Sequence, residues 1–314
     1  MYIGVDLGGT NIAAGLVKAD GEILLKKSTP TPPSHDAEGI ISAMAEISLS
    51  LVKEAGIDKN EVEWVGIGTP GTVDNENGVI IYANNLDFRN TPAAAIFQKT
   101  WDIPVFLGND ANCAALGEAY AGAAKDCQTA IMITLGTGLG GGIIIDKKIY
   151  AGFNDAGGEL GHMTIVADGI PCTCGRKGCW ESYSSATALI RMTKEAMETD
   201  TKKESLLWKM HEAEGKVSGK SAYAAAAQGD ALAKSVVDMY EHYLATGIAS
   251  IINVFQPEML IIGGGVSKEG DRLLKPLNER VFKEVYTRGV PQTELKIAVL
   301  GNDAGIVGAA MLGR

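Results

Sequence analysis

Long apolar runs and basic clusters are both absent from this 314-residue sequence. No stretch reaches the roughly 18 apolar residues of a membrane-spanning helix, and the opening MYIGVDLGGT lacks the basic start and apolar core of a secretory signal. We therefore expect a cytoplasmic protein. Lysine and arginine together number 28 against 38 aspartates and glutamates, which gives a net charge of -10. An acidic chain without a basic patch disfavours nucleic acid and anionic membranes as partners.

Cysteine is also scarce, and its five copies are an odd number. Three of them, Cys172, Cys174 and Cys179, lie close together in the segment PCTCGRKGCWE. In a reducing compartment, cysteines at such spacing are more often metal ligands than disulfide partners. With His162 they supply one imidazole and three thiolates, a complete tetrahedral set for Zn²⁺. Because four protein ligands leave no position for water, the predicted zinc is structural.

Two glycines, Gly175 and Gly178, separate the predicted zinc ligands. Since glycine adopts backbone conformations closed to other residues, we expect the chain to curl there so that the sulfurs meet at one point. The alternatives are buried free thiols or a disulfide between Cys172 and Cys179. The reducing-compartment argument favours the metal site over both.

The strand pattern is repeated along the chain. From Tyr2 the sequence predicts strand, glycine turn, strand, turn and strand, and a similar meander begins at Ala130. Residues 184–250 are predicted to be mostly helical, KIAVLGND at 296–303 to be the last strand, and 304–312 a short closing helix. The prediction is an internally duplicated α/β protein whose length favours two domains, with a single large domain as the alternative. Residues 1–109 with 303–314 form the small N-terminal lobe, and residues 110–302 form the large C-terminal lobe with the zinc loop.

Glycine-rich turns follow several of the predicted strands. Their exposed backbone N–H groups can bind anions, because without a Cβ the backbone approaches phosphate oxygens closely. Thr10 and Thr137 add hydroxyl donors, and Asp6 at the end of the first strand could hold Mg²⁺ directly or through water. The turns lie at residues 8–11, 136–142 and 263–265.

The glycine turns have two other interpretations. Each turn taken alone could simply close a tight hairpin. Gly136, Gly138 and Gly141 also satisfy the GxGxxG spacing of dinucleotide-binding proteins. A strand, GIIID, follows them in place of the helix that such a site requires, so this interpretation is disfavoured. Three turns, two of them in duplicated positions, favour nucleotide binding.

Polar side chains that could carry phosphoryl transfer follow the strand at residues 105–107. Such transfer to an alcohol needs a carboxylate to accept the hydroxyl proton. Asp110, preceded by Asn109, is placed for this role, although an N-cap role for the helix that begins there is equally compatible with the spacing. Glu159 precedes His162 by three residues, and Glu181 follows Cys179 by two. We expect the folded zinc loop to bring these two carboxylates close together, where they suit sugar hydroxyls.

These motifs together resemble the ROK family (repressors, open reading frames, kinases) along nearly the whole chain. The motifs are DLGGTN, GTPG, NDAN, LGTGLGGG, the Glu-Leu-Gly-His at 159–162, CxCGxxGCxE, IIGGG and GNDAGIVGAA. The pairing of Glu-x-Gly-His with CxCGxxGCxE is the specific part of the resemblance. It implies an actin-like ATPase fold, in which two RNase H-like lobes with mixed sheets flanked by helices enclose a cleft for sugar and ATP.

The resemblance also implies roles for particular residues. Asp110 is the base that deprotonates the sugar hydroxyl. His162 places one nitrogen on zinc and turns its other edge to the sugar. The implied sugar contacts are Gly71, Thr72, Asn84, Asn109, Asp110, Glu159, His162 and Glu181. The implied ATP contacts are Gly9, Thr10, Asn11, Thr137, Gly138 and Gly264.

The function implied by the resemblance is ATP-dependent phosphorylation of a hexose. Conversion of glucose to glucose 6-phosphate is the first hypothesis. Fructose, mannose, allose or an N-acetylated hexosamine are alternative substrates, because Asn85-Leu86-Asp87-Phe88 stands where family glucokinases often carry Asn-Leu-Gly-Trp. A sugar-responsive repressor is the alternative from another class. The acidic charge, and a first strand that begins at Tyr2 without a preceding helix-turn-helix, disfavour it. A homodimer or homotetramer is the family expectation.

Overall fold

The computed structural model describes residues 1–33, 36–83 and 86–314. The chain divides into two compact units. The first holds Met1–Met132, Gly142–Gly158 and Ala298–Arg314, and the second holds Ile133–Gly141 and Glu159–Ile297. The lobe boundaries predicted from the sequence stay a prediction. Among the described residues, no helix combines the length and the apolar character needed to cross a membrane.

The secondary structure follows the sequence pattern closely. The strands are β1 (Tyr2–Leu7), β2 (Asn11–Val17), β3 (Ile23–Pro30), β4 (Trp64–Thr69), β5 (Thr72–Asp74), β6 (Val79–Ala83), β7 (Phe88–Thr91), β8 (Val105–Asn109), β9 (Ala130–Leu135), β10 (Leu139–Ile145), β11 (Lys148–Ile149), β12 (Met259–Gly263) and β13 (Glu294–Ile297). The helices are α1 (Ala37–Ala55), α2 (Ala93–Gln98), α3 (Asp110–Ala121), α4 (Glu181–Ser184), α5 (Ala186–Thr199), α6 (Leu206–Glu214), α7 (Ser221–Ala227), α8 (Ala231–Phe255), α9 (Asp271–Glu284) and α10 (Ala304–Ala310).

The first sheet has the strand order β3-β2-β1-β4-β8. β1, β2 and β3 form the predicted antiparallel meander, while β4 pairs in parallel with both β1 and β8. Asp6 stands opposite Gly68, and Thr69 stands opposite Asn109. Because the carboxyl ends of parallel strands meet at one edge of a sheet, Asp6 and Asn109 both lie at that edge.

The second five-stranded sheet has the order β11-β10-β9-β12-β13. β10 and β11 form an antiparallel hairpin, and β12 pairs in parallel with β13. This is the same order of meander strands followed by later strands as in the first sheet, so the duplication predicted from the sequence is confirmed at the level of topology. A smaller antiparallel sheet, β5-β6-β7, begins directly after the GTPG turn.

Glycines in the first sheet allow α10 to rest on it. This helix packs against β1, β4 and α3. A Cβ added at Gly4 would lie 1.9 Å from the Ile306 carbonyl oxygen, and one at Gly66 would lie 1.7 Å from the Ala309 carbonyl oxygen. Only glycine therefore permits this approach. Since α10 also packs on α3, the contact fixes the helix that begins at Asp110.

The last strand is shorter than the sequence predicts. The run of apolar residues in KIAVLGND predicts a strand over 296–303, but β13 is Glu294–Ile297 and a 3₁₀ turn follows at Gly301–Asp303. The cause lies in the buried carboxylate of Glu118. Its Oε1 accepts hydrogen bonds from the N–H groups of Val299 at 2.9 Å and Leu300 at 2.8 Å. Those donors are therefore withdrawn from any strand ladder.

Helices dominate the second unit. Residues 184–250 hold α5 to α8, as the sequence predicts. Ser185 caps α5 by accepting from the Ala188 N–H at 3.0 Å, and Asp230 caps α8 by accepting from the Ala233 N–H at 2.7 Å. Both are typical N-cap residues, whose side-chain oxygens satisfy N–H groups left unpaired in the first turn.

Candidate active site

Two carboxylates of the first unit interact at the carboxyl edge of the first sheet. Asp6 is the penultimate strand residue of β1, and Asp110 is the first residue of α3. Burial raises the pKa of Asp6 from 3.8 to about 6, and the charge of Asp110 adds to the effect. Burial also raises the pKa of Cys113, with smaller contributions from Asp6 and then Asp110. Two carboxylates held together can share a proton or a cation.

The N-cap of α3 is Asn109. Its Oδ1 accepts from the N–H groups of Ala111 at 2.9 Å and Asn112 at 3.2 Å, and its Nδ2 donates to the Gly71 carbonyl oxygen at 3.0 Å. Asp110 follows as the first helical residue, and its Oδ1 accepts from the Ala111 N–H at 2.8 Å. The capping position that the sequence leaves open for Asp110 is thus filled by its neighbour.

The first glycine turn is held in shape by Thr31. The Gly8 N–H donates to the Asn11 carbonyl oxygen at 2.9 Å. Thr31 donates through its hydroxyl to the Gly8 carbonyl oxygen at 2.8 Å and through its N–H to the Thr10 carbonyl oxygen at 3.1 Å. Thr10 and Asn11 themselves are exposed. A turn closed by these bonds presents its outer groups to a ligand without further ordering.

The GTPG turn requires glycine at one position. Gly71 has a φ of +89°, and a Cβ there would lie 1.9 Å from the Tyr82 carbonyl oxygen. Thr72 follows as the first residue of β5. Asn84, a predicted sugar contact, and Asn85 of the departing loop lie outside the described residues. Of that loop, Leu86 and Phe88 are buried, and Asp87 has a φ of +54°, in the left-handed region that favours glycine.

Two of the predicted phosphate turns meet in the second unit. The Gly136 N–H donates to the Gly138 carbonyl oxygen at 3.0 Å, which closes the turn around Thr137. Gly264 has a φ of +84°, and a Cβ there would lie 2.6 Å from backbone atoms of Leu135. The turn after β12 therefore packs directly on the end of β9.

The predicted zinc ligands converge. The ligand atoms of His162, Cys172, Cys174 and Cys179 all lie within 4.8 Å of one another. Cys174 Sγ is 3.7 Å from Cys179 Sγ, and Cys172 Sγ is 3.7 Å from His162 Nδ1. Two sulfurs bound tetrahedrally at about 2.3 Å stand roughly 3.8 Å apart, and a sulfur and a nitrogen roughly 3.6 Å apart. The donor set and its spacing therefore fit Zn²⁺, and these cysteines are free rather than disulfide-bonded.

The loop curls at the predicted glycines. Gly175 has a φ of +85° and Gly178 of +75°. Arg176 between them donates to the His162 carbonyl oxygen at 3.1 Å and to Thr164 Oγ1 at 3.0 Å, which ties the loop to the segment that carries the histidine. Trp180 anchors the other end, being fully buried with its Nε1 donating to the Tyr243 carbonyl oxygen at 3.1 Å.

The carboxylate of Glu181 connects the cysteine cluster to the second glycine turn. Its Oε2 accepts from the Leu139 N–H at 2.9 Å, and its Oε1 lies 3.8 Å from Cys172 Sγ. Glu159 precedes the 3₁₀ turn Leu160–His162 and accepts from the His162 N–H through its carbonyl oxygen at 3.1 Å. The Glu181 carboxylate therefore lies at the cluster and is held by the turn that follows β9, while Glu159 begins the 3₁₀ turn that carries His162.

Three residues without a role predicted from the sequence are prominent in the structure. Asn112 and Glu118 are both buried polar residues of α3, and Arg176 bridges the zinc loop. Asn112 belongs to the NDAN motif, which offered a signal. Glu118 lies in an alanine-rich helical pattern, and its partners are about 180 residues away in sequence, so only the folded chain identifies its role.

Two sheets of matching strand order define an α/β protein of the actin-like ATPase fold. The chain belongs to the ROK family, which matches residues 2–314, and the resemblance noted from the motifs is confirmed. It is 38% identical over 312 residues to a glucokinase of Halalkalibacterium halodurans, covering 99% of this chain and 94% of that one. It is 40% identical over 317 residues to a glucokinase of Streptomyces coelicolor, covering 100% and 98%.

A solved structure shows the same fold. A ROK family glucokinase from Streptomyces griseus in complex with glucose and AMPPNP matches with a TM-score of 0.78 and 38% sequence identity, covering 99% of this chain and 98% of that one.

Proposed function

We propose that this protein is an ATP-dependent hexokinase that converts glucose to glucose 6-phosphate. The observation that carries the proposal is the position of Asp110, at the start of α3 and beside Asp6, in a chain 40% identical to a glucokinase. A strand-end carboxylate next to a second carboxylate suits proton removal from an alcohol close to a bound cation.

Asp110 is the general base of the proposed reaction. Its carboxylate accepts the proton of the sugar hydroxyl as that oxygen forms a bond to the γ-phosphorus of ATP. The bond from the γ-phosphorus to the bridging oxygen breaks, and ADP leaves with the electron pair. The Asn109 cap fixes the first turn of α3, which limits the positions that the Asp110 backbone can adopt.

ATP and Mg²⁺ are proposed to bind at the glycine turns. Backbone N–H groups of these turns suit phosphate oxygens, and hydroxyl groups of Thr10 and Thr137 add donors. Asp6 is the proposed ligand of Mg²⁺, directly or through water, since carboxylate oxygens are the ligands that this ion prefers. Mg²⁺ supplies charge neutralisation at the phosphates. The proposed nucleotide residues are Asp6, Gly9, Thr10, Asn11, Thr137, Gly138 and Gly264.

Zn²⁺ is proposed to have a structural role at the cysteine cluster. His162, Cys172, Cys174 and Cys179 would hold it, and the ion would supply rigidity rather than reactivity. Because His162 turns Nδ1 towards the cysteines, Nε2 remains for a sugar hydroxyl. The proposed sugar-binding residues are Gly71, Thr72, Asn84, Asn109, Asp110, Glu159, His162 and Glu181.

A sugar panel tests the substrate. ADP release would be followed with glucose, mannose, fructose, allose and N-acetylglucosamine at saturating ATP. The expected result is a kcat/KM for glucose at least tenfold above every other sugar. A higher value for another sugar would contradict the assignment to glucose while leaving the kinase proposal in place. No activity on any hexose would contradict the kinase proposal itself.

Assembly and location are further parts of the proposal. The family expectation is a homodimer or homotetramer, and analytical ultracentrifugation at several concentrations distinguishes these from a monomer. A cytoplasmic location agrees with the use of ATP and with reduced cysteines. Cell fractionation followed by the kinase assay tests it.

A further inference from the structure

A pocket of about 220 Å³ lies within the first unit, next to β8 and the first turn of α3. Its lining includes the apolar side chains of Leu107, Leu116 and Leu312, here called the apolar floor. Lys148 and Arg314 also line it. A concave apolar surface with a few polar groups at its edge is the usual form of a small-molecule site.

One amide that lines this pocket has a buried oxygen to which no described protein group donates a hydrogen bond. Asn112 lines the pocket and is only 6% exposed. Its backbone N–H is bonded to Asn109 Oδ1, but its own Oδ1 is buried, and no group in the described ranges 1–33, 36–83 and 86–314 donates to it. Buried polar atoms are nearly always hydrogen-bonded in folded proteins, so this atom indicates that the pocket receives a polar ligand.

Two of the cationic side chains that line the pocket, those of Lys147 and Arg314, are held by contacts within the first unit. Lys147 also lines the pocket, and its Nζ donates to the carbonyl oxygens of Ala119 at 2.5 Å and Lys125 at 2.6 Å near the end of α3. The Lys147 Nζ and the Arg314 guanidinium lie 6.0 Å and 5.8 Å from the centre of the Tyr120 ring. Lys147, Lys148 and Arg314 thus line a pocket in which Asp155 is the one acidic lining residue among those described.

We infer that this pocket binds a phosphorylated, hydroxyl-bearing metabolite of about monosaccharide size. Its phosphate lies against Lys148 and Arg314, where charge-assisted hydrogen bonds are strongest. One of its hydroxyl groups donates to Asn112 Oδ1. The carbon face of the ligand rests on the apolar floor.

The pocket is separate from the proposed active site and is linked to it through one residue. Of the proposed site residues that are described, only Asn109 lines the pocket. Asn109 caps α3 and donates to the Gly71 carbonyl oxygen, so a ligand that displaces it would move the first turn that carries Asp110. The site is therefore regulatory, and this consequence rests on the proposed kinase function. Binding itself does not depend on it.

Isothermal titration calorimetry tests binding without turnover. Glucose 6-phosphate is titrated into protein that is saturated with glucose and a non-hydrolysable ATP analogue, so that the proposed active site is occupied. We expect one binding event per chain, and Lys148→Glu should weaken it at least tenfold. Lys59→Glu, which reverses an exposed charge of the same unit outside the pocket, should leave it unchanged. No binding, or equal weakening by both variants, would overturn the inference.

Two further calorimetric measurements test which class of ligand the pocket binds. Inorganic phosphate should bind at least tenfold more weakly than glucose 6-phosphate, because it leaves Asn112 and the apolar floor without contacts. Equal affinity would overturn the proposed recognition of a hydroxyl group. Ala151→Phe, which fills the pocket, should abolish binding while the melting temperature and the kcat without effector stay near those of the parent protein. If that variant fails to fold, the Lys148→Glu result decides alone.

The regulatory consequence has its own measurement. Glucose 6-phosphate should change the kcat of the parent protein and leave that of Lys148→Glu unaffected. An equal response in both proteins would show that the effect is product inhibition at the active site. If no hexokinase activity is found at all, the calorimetric result still stands or fails independently.

Discussion

Asp6 and Asp110 form an interacting pair of carboxylates at the end of the first sheet. Burial of Asp6, with the added charge of Asp110, raises the pKa of Asp6 to about 6. The fold therefore keeps a partly buried negative charge at neutral pH, at a cost in stability, at the place where the proposed reaction needs a cation and a base. Strain or unfavourable burial of this kind is common at functional sites.

The unfavourable burial of the Asp6 charge predicts how the free energy of unfolding depends on pH. The folded-state pKa of Asp6 lies above its ordinary value of 3.8, so the folded state binds the proton more tightly than the unfolded state. The stabilisation by protonation is complete below about pH 4 and is lost as the pH rises through about 6. Asp6→Asn should therefore stabilise the protein at pH 7.5, by on the order of 2–3 kcal/mol, and much less at pH 4.5.

Urea unfolding at the two pH values measures this effect. Asp102→Asn removes an exposed carboxylate of the same unit and should change stability little at either pH. A destabilised Asp6→Asn protein at pH 7.5 would contradict the interpretation.

The hydrogen bonds accepted by the Glu118 carboxylate predict a second effect on the free energy of unfolding. Its carboxylate accepts from the N–H groups of Val299 and Leu300 through Oε1 and from the Ala123 N–H at 2.7 Å through Oε2. Glu118→Gln turns one acceptor into a donor that faces an N–H group, so we expect a loss of about 2–3 kcal/mol. Glu46→Gln on the exposed face of α1 is the control. Equal unfolding free energies for the two variants would contradict the role assigned to Glu118.

The repeated strand pattern and the glycine positions made the topology predictable from the sequence. Strand–turn–strand patterns are local, and so is the spacing that brings the cysteine ligands to one point. The course of residues 298–303 was not predictable in this way. The apolar residues of this segment favour a strand, but the N–H groups of Val299 and Leu300 donate to the Glu118 carboxylate on α3. A local sequence pattern does not indicate a partner so distant in the chain.

The metal cluster predicts a loss of zinc on removing one thiolate. Cys174→Ser should lower bound zinc from about one ion per chain to well below half, because the serine hydroxyl is a poor zinc ligand. Glucose affinity should fall at least tenfold, since Glu181 and His162 are held by the same loop. Elemental analysis and calorimetry measure the two effects. Cys127→Ser, outside the cluster, should change neither, and full glucose affinity in a zinc-free Cys174→Ser protein would refute the bracing role.

Two glycines of similar backbone conformation allow the steric cost of an added Cβ to be distinguished from the cost of a left-handed backbone. Gly264 has a φ of +84° and packs on Leu135, whereas Gly289 has a φ of +83° with no atom within 4 Å of an added Cβ. Gly289→Ala should cost about 1 kcal/mol, the price of a left-handed alanine. Gly264→Ala should lower the free energy of unfolding by at least twice as much as Gly289→Ala, and it should raise the KM for ATP. Equal losses in thermal unfolding would show that the contact with Leu135 is unimportant.

The catalytic assignment depended most on information outside local sequence. Spacing alone left Asp110 between base and helix cap, and the structure gives the cap to Asn109 because its amide reaches both the α3 N–H groups and Gly71. The identity of the hexose stays a proposal, and Asn84 and Asn85 of the loop after β6 lie outside the described residues.

Asp110→Asn tests the central claim directly. The amide keeps the size and hydrogen-bonding reach of the carboxylate but cannot accept the sugar proton. We predict that kcat falls by about 10³-fold, while the calorimetric Kd for glucose changes by no more than about threefold. The exposed-site variant Asp102→Asn should retain full turnover. A near-normal kcat in Asp110→Asn protein, with glucose binding intact, would contradict the account.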